Sequence, residues 1–109
     1  MGAGEPCPVA EMARVLGRKW VLQIIHHLRE PCGFRELQQR LGNINPTLLS
    51  ERLKFLEREG IVQREVLPQR PPRTVYRLTD KGEELLPLLD ALAAWAHRWQ
   101  EATVPTQSS

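Results

Sequence analysis

The stretch from Phe34 to Thr79, FRELQQRLGNINPTLLSERLKFLEREGIVQREVLPQRPPRTVYRLT, contains the order of elements that decides the fold. Helical spacing of its apolar residues predicts a short helix over Phe34–Arg40 and a longer one over Pro46–Glu59. Alternating apolar residues then predict two strands, Ile61–Leu67 and Thr74–Leu78, separated by a tip that contains proline and arginine. Two helices joined by a tight turn and followed by a two-stranded ribbon form a winged helix-turn-helix.

The second predicted helix carries an apolar stripe and a polar face on opposite sides. Asn45-Pro46 marks its start, because asparagine is a preferred N-cap and proline suits the next position. Leu49, Leu53 and Leu56 recur at helical spacing, with Leu48 beside them. The opposite face carries short polar groups, one acid and one cation, which exchange hydrogen bonds with base edges in DNA-binding helices. These residues are Thr47, Ser50, Glu51 and Lys54.

Further residues of this region complete a predicted DNA-binding set. Arg35 is placed to reach a phosphate, and Arg52 either does so or braces the neighbouring helix. The ribbon tip carries Arg70 and Arg73 among three prolines, which restrict its conformations before binding. The alternative is an ordinary solvated helix face, with solubilising charges on a loop. The full predicted set is Arg35, Asn45, Thr47, Ser50, Glu51, Arg52, Lys54, Arg70 and Arg73.

The distribution of charge indicates a nucleic-acid partner more strongly than the net charge does. The 109 residues carry a net +2 and are 41% hydrophobic and 26% charged, as in an ordinary single globular domain. Residues 14–77 hold 13 Lys and Arg against 6 Asp and Glu, a local +7, whereas residues 1–13 and 78–109 carry −2 and −3. Because cations attract phosphates, the positive segment predicts double-stranded DNA as the partner.

Helices are predicted on both sides of this motif, within one domain over residues 1–109. Cys7-Pro8 opens a first helix that stops at Gly17, and a second begins at Arg18 and ends at Glu30-Pro31. Cys32-Gly33 is an extended link that can add a strand to the ribbon. The predicted division is 8–33 for the N-terminal helices, 34–60 for the helix-turn-helix, 61–78 for the wing and 79–101 for a final helix.

The final predicted helix is apolar on more than one face. Thr79 caps it, and Pro87 lies inside it, where proline removes one backbone hydrogen bond and bends a helix. A helix of this kind needs more cover than a domain this small provides, which predicts that it packs against a twin. The predicted dimer interface consists of Val9, Met12, Leu85, Leu89, Leu92, Trp95, Ala96 and Trp99.

Several classes of function lack a signature in this sequence. It contains no glycine-rich phosphate loop, nucleophile elbow or spaced carboxylate pair, so no enzyme is predicted. Adjacent His26 and His27 point about 100° apart on a helix and no metal-ligand spacing accompanies them, so neither a metal nor another cofactor is expected. We expect no secretion signal and no membrane span, and the two cysteines then indicate a reducing, cytoplasmic compartment.

The ordered motifs resemble one family over nearly the whole chain, from about residue 7 to about residue 99. The sequence is similar to the HxlR-type bacterial and archaeal transcription regulators, a branch of the MarR-like winged-helix proteins. The residues that carry the resemblance are Cys7-Pro8-Val9, Gly17-x-Lys19-Trp20, Phe34-x-Glu36-Leu37, Leu49-Ser50-x-Arg52-Leu53-x-x-Leu56-Glu57, Gly60-Ile61-Val62, Pro71-Pro72-Arg73-x-x-Tyr76-x-Leu78-Thr79 and Trp95.

The resemblance implies a homodimer that binds a pseudo-palindromic promoter site, and a redox or electrophile sensor at Cys7. A thiol at a helix N-terminus has its thiolate stabilised by the helix dipole, although Glu5 and Glu11 nearby oppose this. The alternative for Cys7 is a small buried packing residue. The sequence departs from the usual family pattern at Cys32, and the last helix has no late cysteine that would serve as a partner.

Together these observations predict an α+β protein, a mainly α winged helix-turn-helix with a small antiparallel β-wing and a long C-terminal dimerisation helix. The predicted function is that of a homodimeric DNA-binding transcription regulator, a repressor that responds to oxidants or electrophiles through Cys7. Two alternatives stay open. One is a regulator gated by a small-molecule effector without thiol sensing, and the other is a winged-helix module that binds protein.

Overall fold

The structure, a computed structural model, describes residues 7–103, and side chains up to residue 100. The described part is mainly helical, with one two-stranded antiparallel sheet, and it has the predicted winged helix-turn-helix order followed by a long last helix. The elements are α1 (Pro8–Leu16), α2 (Val21–His27), α3 (Phe34–Arg40), α4 (Pro46–Arg58), β1 (Val62–Leu67), β2 (Arg73–Leu78), α5 (Asp80–Glu83) and α6 (Leu86–Thr103).

The core lies between α2, α3 and α4 and the base of the ribbon. Helical spacing of apolar residues turns one face of each helix inward, and the predicted leucine stripe of α4 is confirmed as buried. None of the described polar or charged residues is fully buried. The largest fully buried side chains belong to Val21, Ile24, Ile25, Leu28, Cys32, Leu37, Leu49, Leu53 and Leu56.

The start of α4 follows the capping rule. The Asn45 side-chain oxygen accepts hydrogen bonds from the backbone N–H groups of Thr47, at 2.8 Å, and Leu48, at 3.1 Å. Pro46 occupies the first turn, as predicted. The helix ends at Arg58, one residue before the predicted end, and Gly60 adopts a left-handed φ of 75° that turns the chain into β1.

The ribbon pairs from Val62 opposite Leu78 at its base to Leu67 opposite Arg73 beside the tip. Each strand boundary lies within one residue of its predicted position. The link before α3 joins the sheet as expected, but as a single bridge. The Cys32 N–H donates to the Tyr76 carbonyl at 3.2 Å, and the Tyr76 N–H donates to the Cys32 carbonyl at 2.8 Å. This bridge fixes the ribbon beside the start of α3.

The prediction for the ends of the second helix is wrong on both sides. That helix, α2, begins at Val21 rather than Arg18, because Trp20 adopts a left-handed φ of 76° that a helix excludes. It ends at His27, before the predicted Glu30, and Leu28 closes its last turn through a 3.0 Å bond to the Ile24 carbonyl.

The prediction of one continuous final helix from residue 79 is also wrong. Thr79 caps only the four-residue α5, accepting from the Gly82 N–H at 3.1 Å. A Cβ on Gly82 would lie 2.3 Å from the Ile61 carbonyl oxygen, so α5 packs directly on the chain that enters β1. The longer α6 starts afresh at Leu86, and Pro87 lies in its first turn, where a proline breaks no helical hydrogen bond.

Candidate nucleic-acid interface

The outer face of α4 presents the polar residues that the spacing predicts. Thr47, Glu51 and Lys54 are exposed and Ser50 is half-buried, while the leucines opposite them are buried. Arg58 is also exposed and continues this face one turn beyond Lys54. Arg58 is absent from the residue set predicted from the sequence, although its spacing of four residues from Lys54 places it on this face. The face offers donors, acceptors and two cations.

Two members of the predicted set have structural partners within the chain. The oxygen of Asn45 caps α4, as described above. The Arg52 Nε donates to the Lys19 carbonyl at 2.9 Å, so Arg52 braces α4 against the turn between α1 and α2. The Arg18 guanidinium lies 4.0 Å from the centroid of the Phe55 ring and fastens the same turn to α4. DNA contact by Asn45 and Arg52 stays a prediction.

Arg73 lies beside the tip of the ribbon and is paired with α3. Its guanidinium contacts the Glu36 carboxylate, which also accepts from the Gly33 N–H at 3.0 Å. The Gly33 hydrogen bond, with the charge of Arg73, holds the pKa of Glu36 below its ordinary value. The carboxylate therefore stays ionised at neutral pH and joins the start of α3 to the ribbon. Sequence reasoning did not assign this role to Glu36.

The other two predicted cations are exposed. Arg35 lies in the first turn of α3, next to Glu36, and Arg70 lies on the ribbon tip. Lower on the ribbon, the Arg77 Nε lies 2.8 Å from the Glu65 carboxylate, so part of the wing's positive charge is already neutralised. Arg73 thus lies against the start of α3, the helix that also carries Arg35, and Arg70 lies on the ribbon tip.

The two cysteines lie in opposite environments. Cys7 is exposed at the N-cap of α1, and its side chain makes no capping hydrogen bond, so the alternative of a buried packing residue is wrong for this chain. The Glu11 carboxylate is directed to Arg14, with a 3.2 Å bond from its Nε, and Glu5 lies outside the described residues. Cys32 is fully buried, and burial raises the pKa of its thiol.

The predicted dimer residues form an apolar surface over α1 and α6, defined here by Val9, Met12, Leu92, Trp95 and Trp99. Each of these five side chains is between 51% and 64% exposed. Ala96 is also exposed, whereas Leu85 and Leu89 are half-buried and pack against the core. A groove of about 530 Å³, lined almost entirely by apolar side chains, runs between α1, α2 and α6. Apolar patches of this kind on small proteins mark binding surfaces.

Other kinds of site find no support in the part of the chain that the structure describes. Over residues 7–103, no group of three or more His, Cys, Asp and Glu side chains is arranged to hold a metal ion. No helix in the same range combines the length and apolarity required to cross a bilayer.

The fold and its polar recognition helix define a DNA-binding protein of the winged helix-turn-helix class. Residues 15–104 match the family model described as HxlR-like helix-turn-helix, and the chain belongs to that family. The resemblance that the motifs indicated is therefore confirmed.

Known relatives are similar in sequence to this chain over nearly its full length. The chain is 43% identical over 101 residues to the uncharacterised HTH-type transcriptional regulator YvaP of Bacillus subtilis, covering 91% of this chain and 94% of YvaP. It is 40% identical over 97 residues to YodB of the same species, covering 87% of each. The chain is thus a transcriptional regulator with a helix-turn-helix DNA-binding fold and, like its relatives, not an enzyme.

Two solved structures extend the comparison. The reduced form of B. subtilis YodB superposes with a TM-score of 0.76 at 38% identity, covering 92% of this chain and 97% of YodB. The redox regulator HypR in its oxidised form gives a TM-score of 0.77 at 33% identity, covering 84% of this chain and 96% of HypR. Both structures share the fold described here.

Proposed function

We propose that the protein is a homodimeric repressor that places α4 of each subunit in a major groove of a pseudo-palindromic promoter site. The exposed polar face of α4 is the observation that carries this proposal. Two-fold symmetry sets the half-sites about 34 Å apart, one turn of the duplex. A site that overlaps a promoter excludes the polymerase, which gives repression. Such a regulator acts in the cytoplasm, where bacterial and archaeal DNA lies.

The proposed contacts are of two kinds, those with base edges and those with the DNA backbone. Thr47, Ser50, Glu51 and Lys54 reach base edges from α4 and give sequence preference. Asn45 and Arg52 act mainly by positioning α4 against the DNA backbone. The remaining cations, Arg35, Arg70 and Arg73, bind phosphates, so the affinity falls steeply with salt.

The proposed dimer forms through the apolar surface on α1 and α6. Burial of exposed leucine and tryptophan side chains against a second copy removes them from water, at a gain of about 25 cal/mol per Å² of apolar area. The acidic C-terminal segment faces away from DNA in this arrangement, which agrees with the uneven distribution of charge.

We also propose that Cys7 makes the regulator responsive to oxidants or electrophiles. Its thiol is exposed and lies at the start of α1, next to the apolar surface. Relatives support this: YodB has been solved in reduced, diamide-treated and quinone-bound forms, and HypR in reduced and oxidised forms. Modification of the thiol would shift α1 in the interface and change the distance between the two α4 helices.

A gel-shift assay with the duplex upstream of the protein's own gene tests both DNA binding and thiol sensing. The assay is run in reductant and then in diamide. We expect salt-sensitive binding in reductant and release in diamide, and no release for Cys7→Ser. Unchanged release in Cys7→Ser would contradict thiol sensing. Absence of binding to that duplex and to random duplex at low salt would contradict the regulator and favour the protein-binding module.

A ligand-gated regulator is the second candidate, and the apolar groove between α1, α2 and α6 favours it. A small aromatic effector that binds there would act on the same helices as the thiol. We expect such a compound to raise the melting temperature and weaken DNA binding equally in the wild type and in Cys7→Ser. Binding that depends on Cys7 would exclude this version.

A further inference from the structure

The C-terminal end of α4 is joined to the helix that carries Cys7. Glu59 caps α4, and its carboxylate receives two hydrogen bonds from Arg14 of α1. Arg14 Nη1 lies 3.0 Å from Glu59 Oε2, and Nη2 lies 3.0 Å from Oε1. A bidentate pair of this geometry fixes the orientation of both groups as well as their distance. It links two residues that are 45 positions apart in sequence.

The C-terminal end of α4 is also hydrogen-bonded to the start of the C-terminal helices. Lys81 of α5 donates from Nζ to the Glu59 carbonyl at 2.8 Å. Thr79, which caps α5, donates to the Gly60 carbonyl. The end of α4 is therefore bonded to α1 through the side chain of Glu59, and to α5 through the main-chain carbonyl groups of Glu59 and Gly60. These are the two parts of the fold that lead into the apolar surface.

Helix α1 has few other attachments to the domain. Val15 is the one buried side chain within the described Pro8–Leu16 helix, and Leu16 is half-buried. Val9 and Met12 are more than half exposed. With so little buried area, the angle of α1 against the domain depends strongly on the Arg14–Glu59 pair.

We infer that Arg14 and Glu59 are positioning residues, whose paired charges fix the angle between α1 and α4 and carry a change at Cys7 to the DNA-reading helix. The inference rests on the proposed function, because it assigns the DNA contact to α4 and the signal to α1. Through these two side chains, a change in α1 would act on α4. Neither residue needs to touch DNA.

The chemistry of the pair suits such a link. The hydrogen bonds from Arg14 hold the pKa of Glu59 below its ordinary value, so the carboxylate is ionised throughout the neutral range. The side chains are 47% and 21% exposed, which leaves water access for the pair to open and close. A partly exposed pair adds little to overall stability, so a loss of DNA binding without a loss of folding would separate positioning from a purely structural role.

The chain offers a matched control for this test. Glu11 pairs with Arg14 as Glu59 does, but it lies in the same helix, three residues away. Glu11→Gln removes one carboxylate from Arg14 and leaves the connection between α1 and α4 intact. Glu59→Gln removes the other carboxylate and breaks that connection. The two variants have the same charge and the same loss of one ion pair.

The experiment measures the affinity of the reduced full-length dimer for its upstream duplex, and for duplexes with one or two base pairs inserted between the half-sites. We expect Glu59→Gln and Arg14→Gln to bind the native spacing up to about fivefold more weakly and to discriminate less between spacings. Glu11→Gln should match the wild type. The double variant should be no weaker than either single variant, because both remove one interaction.

Hydrogen exchange of the α1 amides, measured without DNA, keeps the two proposals distinguishable. We expect faster exchange in Glu59→Gln than in Glu11→Gln, with equal urea midpoints. Equal exchange and equal affinity in these two variants would overturn the coupling while wild-type binding upholds the proposed function. A wild type that binds no duplex would overturn the proposed function and the DNA role of the pair. Faster α1 exchange would then show only a structural link.

Discussion

At the scale of single residues, the thiols of Cys7 and Cys32 differ in their burial. Cys32 lies in the core beside the ribbon, where its main chain pairs with Tyr76 and burial raises the pKa of its side chain. Cys7 stands at the exposed start of α1. Because the thiolate is the reactive form, the buried thiol is both less ionised and less accessible. Reactivity in the native protein should therefore belong to Cys7.

Alkylation of the native protein at neutral pH with a maleimide should consume one thiol rapidly and the second only after unfolding. Cys7→Ser should abolish the rapid phase, and Cys32→Ala should leave it unchanged. Intact-mass spectrometry at successive times measures both phases. Modification of the two thiols at similar rates in the folded wild type would contradict the assignment.

We expect His27 to give the protein a pH-dependent stability in the mildly acidic range. Its half-buried imidazole has a pKa lowered from 6.5, mainly by burial, with His26 and Arg40 adding to the effect. The folded state therefore disfavours the proton that the unfolded chain accepts. The stability from the neutral imidazole is complete above pH 6.5 and is lost as the pH falls below that value.

We expect the urea midpoint of the wild type to fall between about pH 7.5 and about pH 5.5, and that of His27→Gln to fall less. Circular dichroism during urea titration measures the midpoint at each pH. Parallel declines in the two proteins would show that another group causes the pH dependence.

At the scale of elements, the start of α4 illustrates what local sequence specifies. The Asn45-Pro46 pair predicts the N-cap and the first turn, and the structure confirms both. The leucine spacing likewise predicts the buried face. These features depend only on residues within a few positions of one another, so one chain segment contains all the information that they need.

Asn45→Ala should destabilise the domain by about 1 kcal/mol, because two backbone N–H groups of α4 lose their acceptor. Asn45→Asp should retain most of that stability, since its carboxylate oxygen can accept the same bonds at a helix N-terminus. Urea unfolding of the three proteins gives the comparison. An alanine variant as stable as the wild type would show that water replaces the cap without cost.

The features that the sequence did not reveal depend on contacts between distant segments. Local pattern gave no warning that Gly82 packs against the Ile61 carbonyl, whereas Pro87 marked the interruption between α5 and α6 locally. It also gave no warning of the Arg73–Glu36 and Arg14–Glu59 pairs, which join residues 37 and 45 positions apart. Charge pairs at such separation follow no helical or strand period, so only the folded chain shows them.

Gly82 provides an element-scale test in which two effects have opposite signs. In an ordinary helix, replacing glycine with alanine stabilises by about 1 kcal/mol. Here the added Cβ would meet the Ile61 oxygen at 2.3 Å, and overpacking costs roughly 1–3 kcal/mol. We expect the clash to dominate, so Gly82→Ala should lower the urea midpoint while Glu83→Ala, at an exposed neighbour, should not. A more stable Gly82→Ala protein would show that α5 moves freely away from β1.

At the scale of the whole molecule, the proposed DNA-reading surface and the apolar surface lie on different elements, which are joined through the end of α4. The polar face of α4 and the ribbon carry the positive charge, whereas exposed apolar side chains lie on α1 (valine and methionine) and on α6 (leucine and tryptophan). In a two-fold dimer, the spacing of the two α4 helices then depends on how α1 and α6 pack. We therefore expect oligomeric state to determine DNA affinity directly.

Trp95→Glu tests that dependence. Trp95 is 57% exposed on α6 and lines the apolar groove, so a carboxylate there would have to be buried without a partner in the proposed interface. We expect a monomer in sedimentation velocity and at least tenfold weaker binding to the upstream duplex, because one subunit holds one half-site only. Gln63→Glu adds the same charge at an exposed position on the ribbon and should sediment like the wild type. If Trp95→Glu remained a dimer with full affinity, the interface would lie elsewhere, and the exposed apolar surface would be the place to look for an effector instead.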